Sequence, residues 1–449
     1  MPQTLTLGAP GVYVEPERSL PALGGVRLDV CAFLGVAPRG PVRVPDAAPD
    51  PLPDGPTVRI EKRRSVAVAV ESFGEYVRIF GGFEGPGRLP FAVASFFEQG
   101  GRRAFVARVV HDYGNATDDA LGAASGELGS VTASGGGPVN LFARSEGTWG
   151  NALRAALGFS LRPLRFSTAS AIDLGLDPAD RVPPGTLLRL TLPDGSRTSA
   201  FVAAVRAAGS GARGSALAAT LDRLLPGVPA AAEVIEGILI ADDGDGRSER
   251  FEGVGLSSFH PRWLATVLCH ESELLWPDEG WLDGDLLPAP GVRLAEPVLP
   301  PAEPKPPAQP QFSGGLDRYP EIVPEDFFDP EWTPGDDAPG SGMLALAGLP
   351  EIAAVVLPDL YSPGPLVPFE RVIEPPSLAG PEFAPCDTFE PPPLVQATTT
   401  PDLDGLRLDP RLPGDFAAIV ALQQAVVERA EALGIIALLD VPPGLEPRR

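Results

Sequence analysis

The stretch LPFAVASFFEQGGRRAFVARV, residues 89–109, decides the fold. Pro90 suits the first position of a helix, where its missing N–H costs nothing and its fixed φ is already helical. Phe91, Ala94 and Phe97 then recur on one expected inward face. Gly100-Gly101 stops the helix. Residues 104–110 (AFVARVV) follow as an unbroken apolar run, the pattern of a strand buried on both faces.

The same alternation extends outward. Upstream, 30–36 (VCAFLGV) and 66–70 (VAVAV) are apolar runs of strand length. Between 70 and 89, Ser72 with Glu75 makes a capping box, Tyr76, Ile79 and Phe80 make an apolar stripe, and Gly81-Gly82 ends it. Downstream, 352–357 (IAAVVL) and 435–439 are strand candidates. An amphipathic helix at 416–433 precedes the last, with Phe416, Ile419, Val420, Val427 and Ala430 expected inward and Gly434 as its stop. Strands separated by helices define an α/β unit.

Residues 115–250 differ. Short alternating strands and Gly-rich turns dominate: 186–192, a Pro193-Asp194-Gly195 turn, then 198–205. Segments 235–241 and 250–254 can pair around Asp242-Asp243-Gly244-Asp245-Gly246. A helix is expected over 261–275, with Leu264, Val267, Leu268 and Leu275 inward. Residues 286–340 hold 14 prolines and many acids, which exclude a continuous helix or central strand and predict a surface excursion. Residues 363–413 are Pro-rich again.

Five parts result: an extended arm at 1–20, an α/β unit at 21–114, an inserted β-rich domain at 115–250, a partial α/β domain at 251–285 and 341–449, and a Pro-rich acidic excursion at 286–340. The arm contains Gly11, Val12, Tyr13, Val14 and Glu15 between Pro10 and Pro16. Its β-favouring residues cannot bury both faces alone, so it is expected to lie on the protein's own body or on another chain.

The chain has 449 residues and a formal charge of −24. Residues 1–269 carry 26 basic against 28 acidic residues, and residues 270–449 carry 9 against 31. An acidic surface repels phosphate, which disfavours nucleic-acid binding. Cys31, Cys269 and Cys386 lie far apart with no CxxC spacing, which argues for a reducing compartment rather than a disulfide scaffold. The N-terminus lacks a signal-peptide pattern, and no run reaches the ~18–20 apolar residues of a membrane span.

Catalytic and ligand motifs are weak. Gly209, Gly211 and Gly214 match GxGxxG before a possible helix at 217–225, but in a Gly/Ala/Ser-rich stretch that fits a loop. The turn at 242–249 has Arg247 and Ser248 where a calcium loop needs a ligand and Gly, so it reads as a hairpin tip. Cys269, His270, Glu271 and Glu273 would point to different helix faces, and no GxSxG elbow exists. One enzyme alternative stands. Asp359 and Asp440 each follow a predicted strand, and carboxylates at the carboxyl ends of an open sheet can hold a metal or act as acid and base.

Several ordered motifs resemble the tail sheath proteins of contractile phage tails and related contractile injection systems. They are PGVYVEP at 10–16, AFLGVAPRGP at 32–41, SFGEYVRIFGGF at 72–83 and residues 89–109. Further on come EGTWGN at 146–151 with Leu153-Arg154, FEGVGLSS at 251–258, and the closing helix with Leu438-Leu439-Asp440 and Pro442-Pro443-Gly444-Leu445. The resemblance implies a subtilisin-like α/β domain without catalysis and a mechanical role with no cofactor. It implies self-assembly as hexameric rings stacked around an inner tube protein, linked by exchanged terminal strands. It also implies assembly in the cytoplasm, in a particle that can act outside the cell. Such proteins continue past the PPGL pattern into a further domain. A companion sheath chain carrying that domain, a truncated gene and a specialised cap or adhesive subunit are the open explanations. The first predicts an exposed sheet edge near 435–441.

Overall fold

The structure, a computed structural model, describes residues 29–45, 60–62, 65–113, 122–177, 180, 182–211, 214–294, 305–333, 340–363 and 403–442. Its described residues are a mixed α/β arrangement, mostly sheet, with four α-helices. The arm at 1–20 lies outside them, as does most of the Pro-rich stretch at 363–413.

The five apolar runs assemble as expected into one sheet. Its strands are β1 (Val30–Gly35), β4 (Ala67–Val70), β5 (Arg103–Arg108), β18 (Ala354–Val356) and β19 (Ile436–Leu438), in the order β19-β18-β1-β5-β4. The pairs β1–β5, β1–β18 and β18–β19 are parallel, and β4 is antiparallel to β5. A small hairpin, β2 (Arg43–Pro45) with β3 (Ile60–Lys62), stands apart.

Alternation along β1 divides two cores. Cys31 and Phe33 pack with α1 (Phe73–Phe80) and α2 (Leu89–Glu98) through Tyr76, Phe80, Leu89 and Val93. Ala32 and Leu34 face the opposite core, which receives α4 (Pro413–Leu433) through Ile419, Val426 and Ala430. Ser72 caps α1 by accepting from the Glu75 N–H at 3.1 Å, as the capping box predicts.

Two helix faces differ from expectation. In α2 the buried residues are Leu89, Pro90 and Val93, while Phe91 is 56% exposed. In α4 the stripe runs through Ile419, Val426 and Ala430, and Phe416 and Val427 face outward. In both helices tertiary packing selects among several apolar stripes that the sequence offers.

The remaining strands form a β body. Strands β8 (Arg154–Leu164), β9 (Phe166–Ala169), β10 (Asp173–Leu176), β11 (Leu187–Thr191), β12 (Arg197–Gly211), β13 (Gly214–Leu221), β14 (Ala231–Asp242) and β15 (Ser248–Val254) make one antiparallel sheet. β14 pairs with β8 along its length on one side, and with β11 and then β15 on the other. A second sheet has the order β16-β7-β6-β17, with β6 (Ser125–Ala133), β7 (Pro138–Ala143), β16 (Leu275–Pro277) and β17 (Leu286–Pro288).

Residues 251–285, expected with the α/β domain, belong to this body. Helix α3 (Leu264–Glu271) is shorter than the 261–275 expectation, and Leu275 lies in β16. Trp263, Leu264, Val267, Leu268, Trp276 and Trp281 share one core with β6, β7, β8 and β14. The described part of the 286–340 stretch is likewise no detached excursion. Phe312 enters the β-body core, and Tyr319, Ile322, Phe327 and Phe328 pack into the core beneath β1. Its prolines start short 3₁₀ turns at Tyr319–Glu321 and Pro324–Phe327, a use of proline that needs no interior N–H. Phe327 is fully buried. Phe327→Ala should therefore cost about 3–5 kcal/mol in urea denaturation. A loss below about 1 kcal/mol would mean that the segment is not part of the core.

Candidate functional site: the carboxyl end of the parallel sheet

The carboxyl ends of β18 and β19 meet the N-terminus of α2, where an open α/β sheet places ligands. Asp359 follows β18. Its side chain is 1% exposed and takes three backbone N–H groups: Val36 at 2.9 Å, Leu89 at 3.2 Å, and Arg88. Helix α2 has no capping side chain of its own, so Asp359 caps it across 270 residues of chain. Close approach requires glycine: a Cβ on Gly35 would lie 2.5 Å from the Asp359 carboxylate, and one on Gly87 would lie 2.4 Å from the Val36 carbonyl. Burial pushes the Asp359 carboxyl above the ordinary carboxylate range, and the three N–H donors oppose that shift.

Asp440 follows β19 and is about half exposed. Arg88 lies between the two acids. Its guanidinium donates to the Tyr361 carbonyl, lies 5.5 Å from that ring's centroid, and stands 3.8 Å from Asp440. The structure thus brings both predicted acids to one end of the sheet, but with separate duties. Asp359 is committed to main-chain donors and Asp440 faces solvent, so they do not share an open space as an acid–base pair would.

Beside them, among the described residues, the sheet presents exposed apolar side chains. Ile436 and Leu438 pair in register with Ala354 and Val356 and so share the face on which α1 and α2 pack. Yet Ile436 is 42% and Leu438 45% exposed, and Leu439 and Val441 are exposed beyond them. A groove between α2 and these strands is lined by Ala92, Ser95, Val356, Leu438 and Leu439. Exposed Phe91 stands at its side and packs at a tilt against exposed Phe83, with ring centroids 4.7 Å apart. A parallel sheet is ordinarily covered on both faces. Among the described residues, no strand pairs with the outer edge of β19. The sequence signal for this edge was the apolar run at 435–439; nothing in sequence marked Arg88 or the outward Phe91.

The weaker motifs fall elsewhere. Gly209, Gly211 and Gly214 lie at the β12–β13 hairpin, and residues from 217 continue as strand, not helix. The 242–249 turn joins β14 to β15, with Asp243 accepting from Arg247. Cys269 is buried, its thiol pushed up to about 12 by burial, while His270, Glu271 and Glu273 are exposed. Cys31 is buried in the strand β1; Cys386 and the residues Gly11 to Glu15 lie outside the described residues. Among the described residues no three His, Cys, Asp or Glu side chains stand together as a metal site, and no helix is long and apolar enough to cross a membrane. Neither protein-family models nor curated proteins give a match to this chain.

Two predictions follow from this geometry. Asp359→Ala strands buried N–H groups and should destabilise the protein by roughly 3 kcal/mol or more, whereas Asp440→Ala should change it by less than about 0.5 kcal/mol. Equal effects in urea denaturation would reverse the assignment. His260 provides a pH test. Its ring accepts from the Arg262 N–H at 3.1 Å and must be neutral there; burial lowers its pKa. A histidine depressed in the folded state binds its proton mainly when unfolded. Its contribution is complete above pH about 6.5 and is lost as pH falls below that value. The stability loss between pH 7 and 5 should therefore be smaller in His260→Asn than in the parent protein.

Proposed function

We propose that this protein is a structural subunit of the contractile-sheath type, which polymerises around an inner tube and transmits force by contraction. The observation that carries the reading is the end of the α/β sheet, where, among the described residues, the strand edge of β19 is unpaired and is flanked by exposed Ile436, Leu438, Leu439 and Val441. An apolar open edge is a liability for an isolated chain and an asset for one that joins others by strand addition. A heterologous contact that does not close on itself propagates as a helix, the symmetry a sheath requires.

The resemblance motifs support the same reading, because they fall at structural joints. PRG at 38–40 lies against α1, where Gly40 has φ +139° and a Cβ would meet Phe80. EGTWGN forms a 3₁₀ turn with Gly147 at φ +136°. That turn docks residues 315–317: Thr148 bonds Asp317 through its N–H and hydroxyl, and Asn151 bonds both main-chain groups of Gly315. On this reading the α/β domain is a subtilisin-like scaffold without catalysis, and Gly11 to Glu15 form an assembly arm. The partners are further copies in hexameric rings, the inner tube protein, and a companion chain whose strand and helix cover β19 and the groove beside α2. The particle assembles in the cytoplasm and acts after release.

Negative-stain microscopy of the protein co-expressed with the products of neighbouring genes should show rings or tubes. Leu438→Asp, at a site already exposed, should leave the folding transition within about 1 kcal/mol of the parent while abolishing those assemblies. A chain that stays monomeric under all co-expression conditions, or assemblies indifferent to Leu438→Asp, would sink the proposal. The position of the chain along an assembled particle separates a sheath subunit from a cap or adhesive one.

A further inference from the structure

A cavity opens where the α/β layer meets the β body. Val68 and Ile79 line it from the first, Ser145 and Trp149 from the second, and Arg39 and Arg247 from each in turn. Guanidinium groups are rarely buried without full pairing, because removing a cation from water is offset only by opposite charge and hydrogen bonds. Here the pairing is incomplete. Arg39 donates through Nη2 to the Val77 carbonyl at 3.0 Å, and its Nη1 stands 3.8 Å from Asp243. Arg247 donates through Nε to the same Asp243 carboxylate at 2.6 Å and through Nη1 to the Arg78 carbonyl. One carboxylate therefore serves two cations.

Three polar atoms are left over. Arg39 Nε, Arg247 Nη2 and Ser145 Oγ are buried with no hydrogen-bond partner. Ser145 is only 1% exposed. The other charged groups at the cavity are already engaged: Arg144 with the Ser272 carbonyl and the Trp276 ring, and Glu273 with Arg78. Burial first, and the Arg247 charge second, hold Arg39 below its ordinary pKa, against the opposing pull of Asp243, Glu84 and Asp245.

We propose that this cavity binds a small organic acid, its carboxylate taken by Arg39, Arg247 and Ser145 and its apolar stem packed on Val68, Ile79 and Trp149. Asp243, Glu84 and Asp245 also act on Arg39, and their negative charge opposes a dianionic phosphate more than a monoanion. Apolar walls with a few polar groups at one end are the usual form of a small-ligand site, and an arginine–carboxylate pair supplies both charge and direction. The acid can come from solution or be an Asp or Glu side chain of a second copy. Either would tie the α/β layer to the β body, and neither depends on the sheath reading.

The test is thermal unfolding of the full chain with acetate, butyrate and hexanoate, and with hexanamide and inorganic phosphate as controls. A saturable rise in Tm is expected that strengthens with stem length, with little response to phosphate and none to hexanamide. Ser145→Ala should weaken hexanoate binding about three- to tenfold without lowering the Tm of the ligand-free protein, since its hydroxyl has no partner to lose. Ile79→Trp should fill the stem space and abolish binding; Val68→Phe serves if that variant fails to fold. If the acid is a side chain of a second copy, self-association measured by sedimentation should fall in the same variants and be competed by hexanoate. Equal responses to hexanoate and hexanamide, acid binding indifferent to both substitutions, or neither acid binding nor variant-sensitive self-association would each overturn the proposal.

Discussion

The Asp359 carboxylate holds the α/β layer in register. Its two oxygens take N–H groups from the end of β1 and from the start of α2, while its own backbone follows β18. Three segments, two of them 270 or more residues from the third, are thereby fixed at one point. The arrangement needs glycine at 35 and 87, because any side chain there would strike the carboxylate or the Val36 carbonyl. The same contact seats the first turn of α2, the helix on which Leu89 and Val93 face inward and Phe91 faces out. A buried carboxylate is costly without partners; here main-chain donors satisfy it and make it a structural pin.

A second constraint joins the layer to the β body. The segment 311–328 crosses from one to the other. Gln311 accepts from the Ala155 N–H, Gly315 and Asp317 seat on the 146–151 turn, and Phe327 ends in the core under β1. The cavity with Arg39, Arg247 and Ser145 lies at the same joint. Arg78 with Glu273 and Arg108 with the Glu146 carbonyl join the two parts as well.

Much of this was legible in the sequence. The five strands of the α/β sheet, the Ser72 cap and the hairpin at 242–246 all follow from local pattern. Proline content was misleading at 305–333: it excludes long helices and central strands, but not 3₁₀ turns that press Tyr319, Ile322 and Phe327 into a core. The apolar stripes of α2 and α4 were found, but their rotation was not. Each helix carries more than one apolar face, and only the neighbouring sheet selects among them.

The sequence by itself determined which segments are strands and helices, because hydrophobic period, caps and glycine stops are local properties of the chain. Tertiary structure alone decided what the polar residues do. Asp359 and Asp440 are the same residue type after equivalent strands, yet one is enclosed by three N–H donors and the other faces solvent. Burial and partners come from distant segments, and no local spacing encodes them. The same holds for Arg39, Arg247 and Ser145, which more than a hundred residues separate in the chain and one cavity brings together.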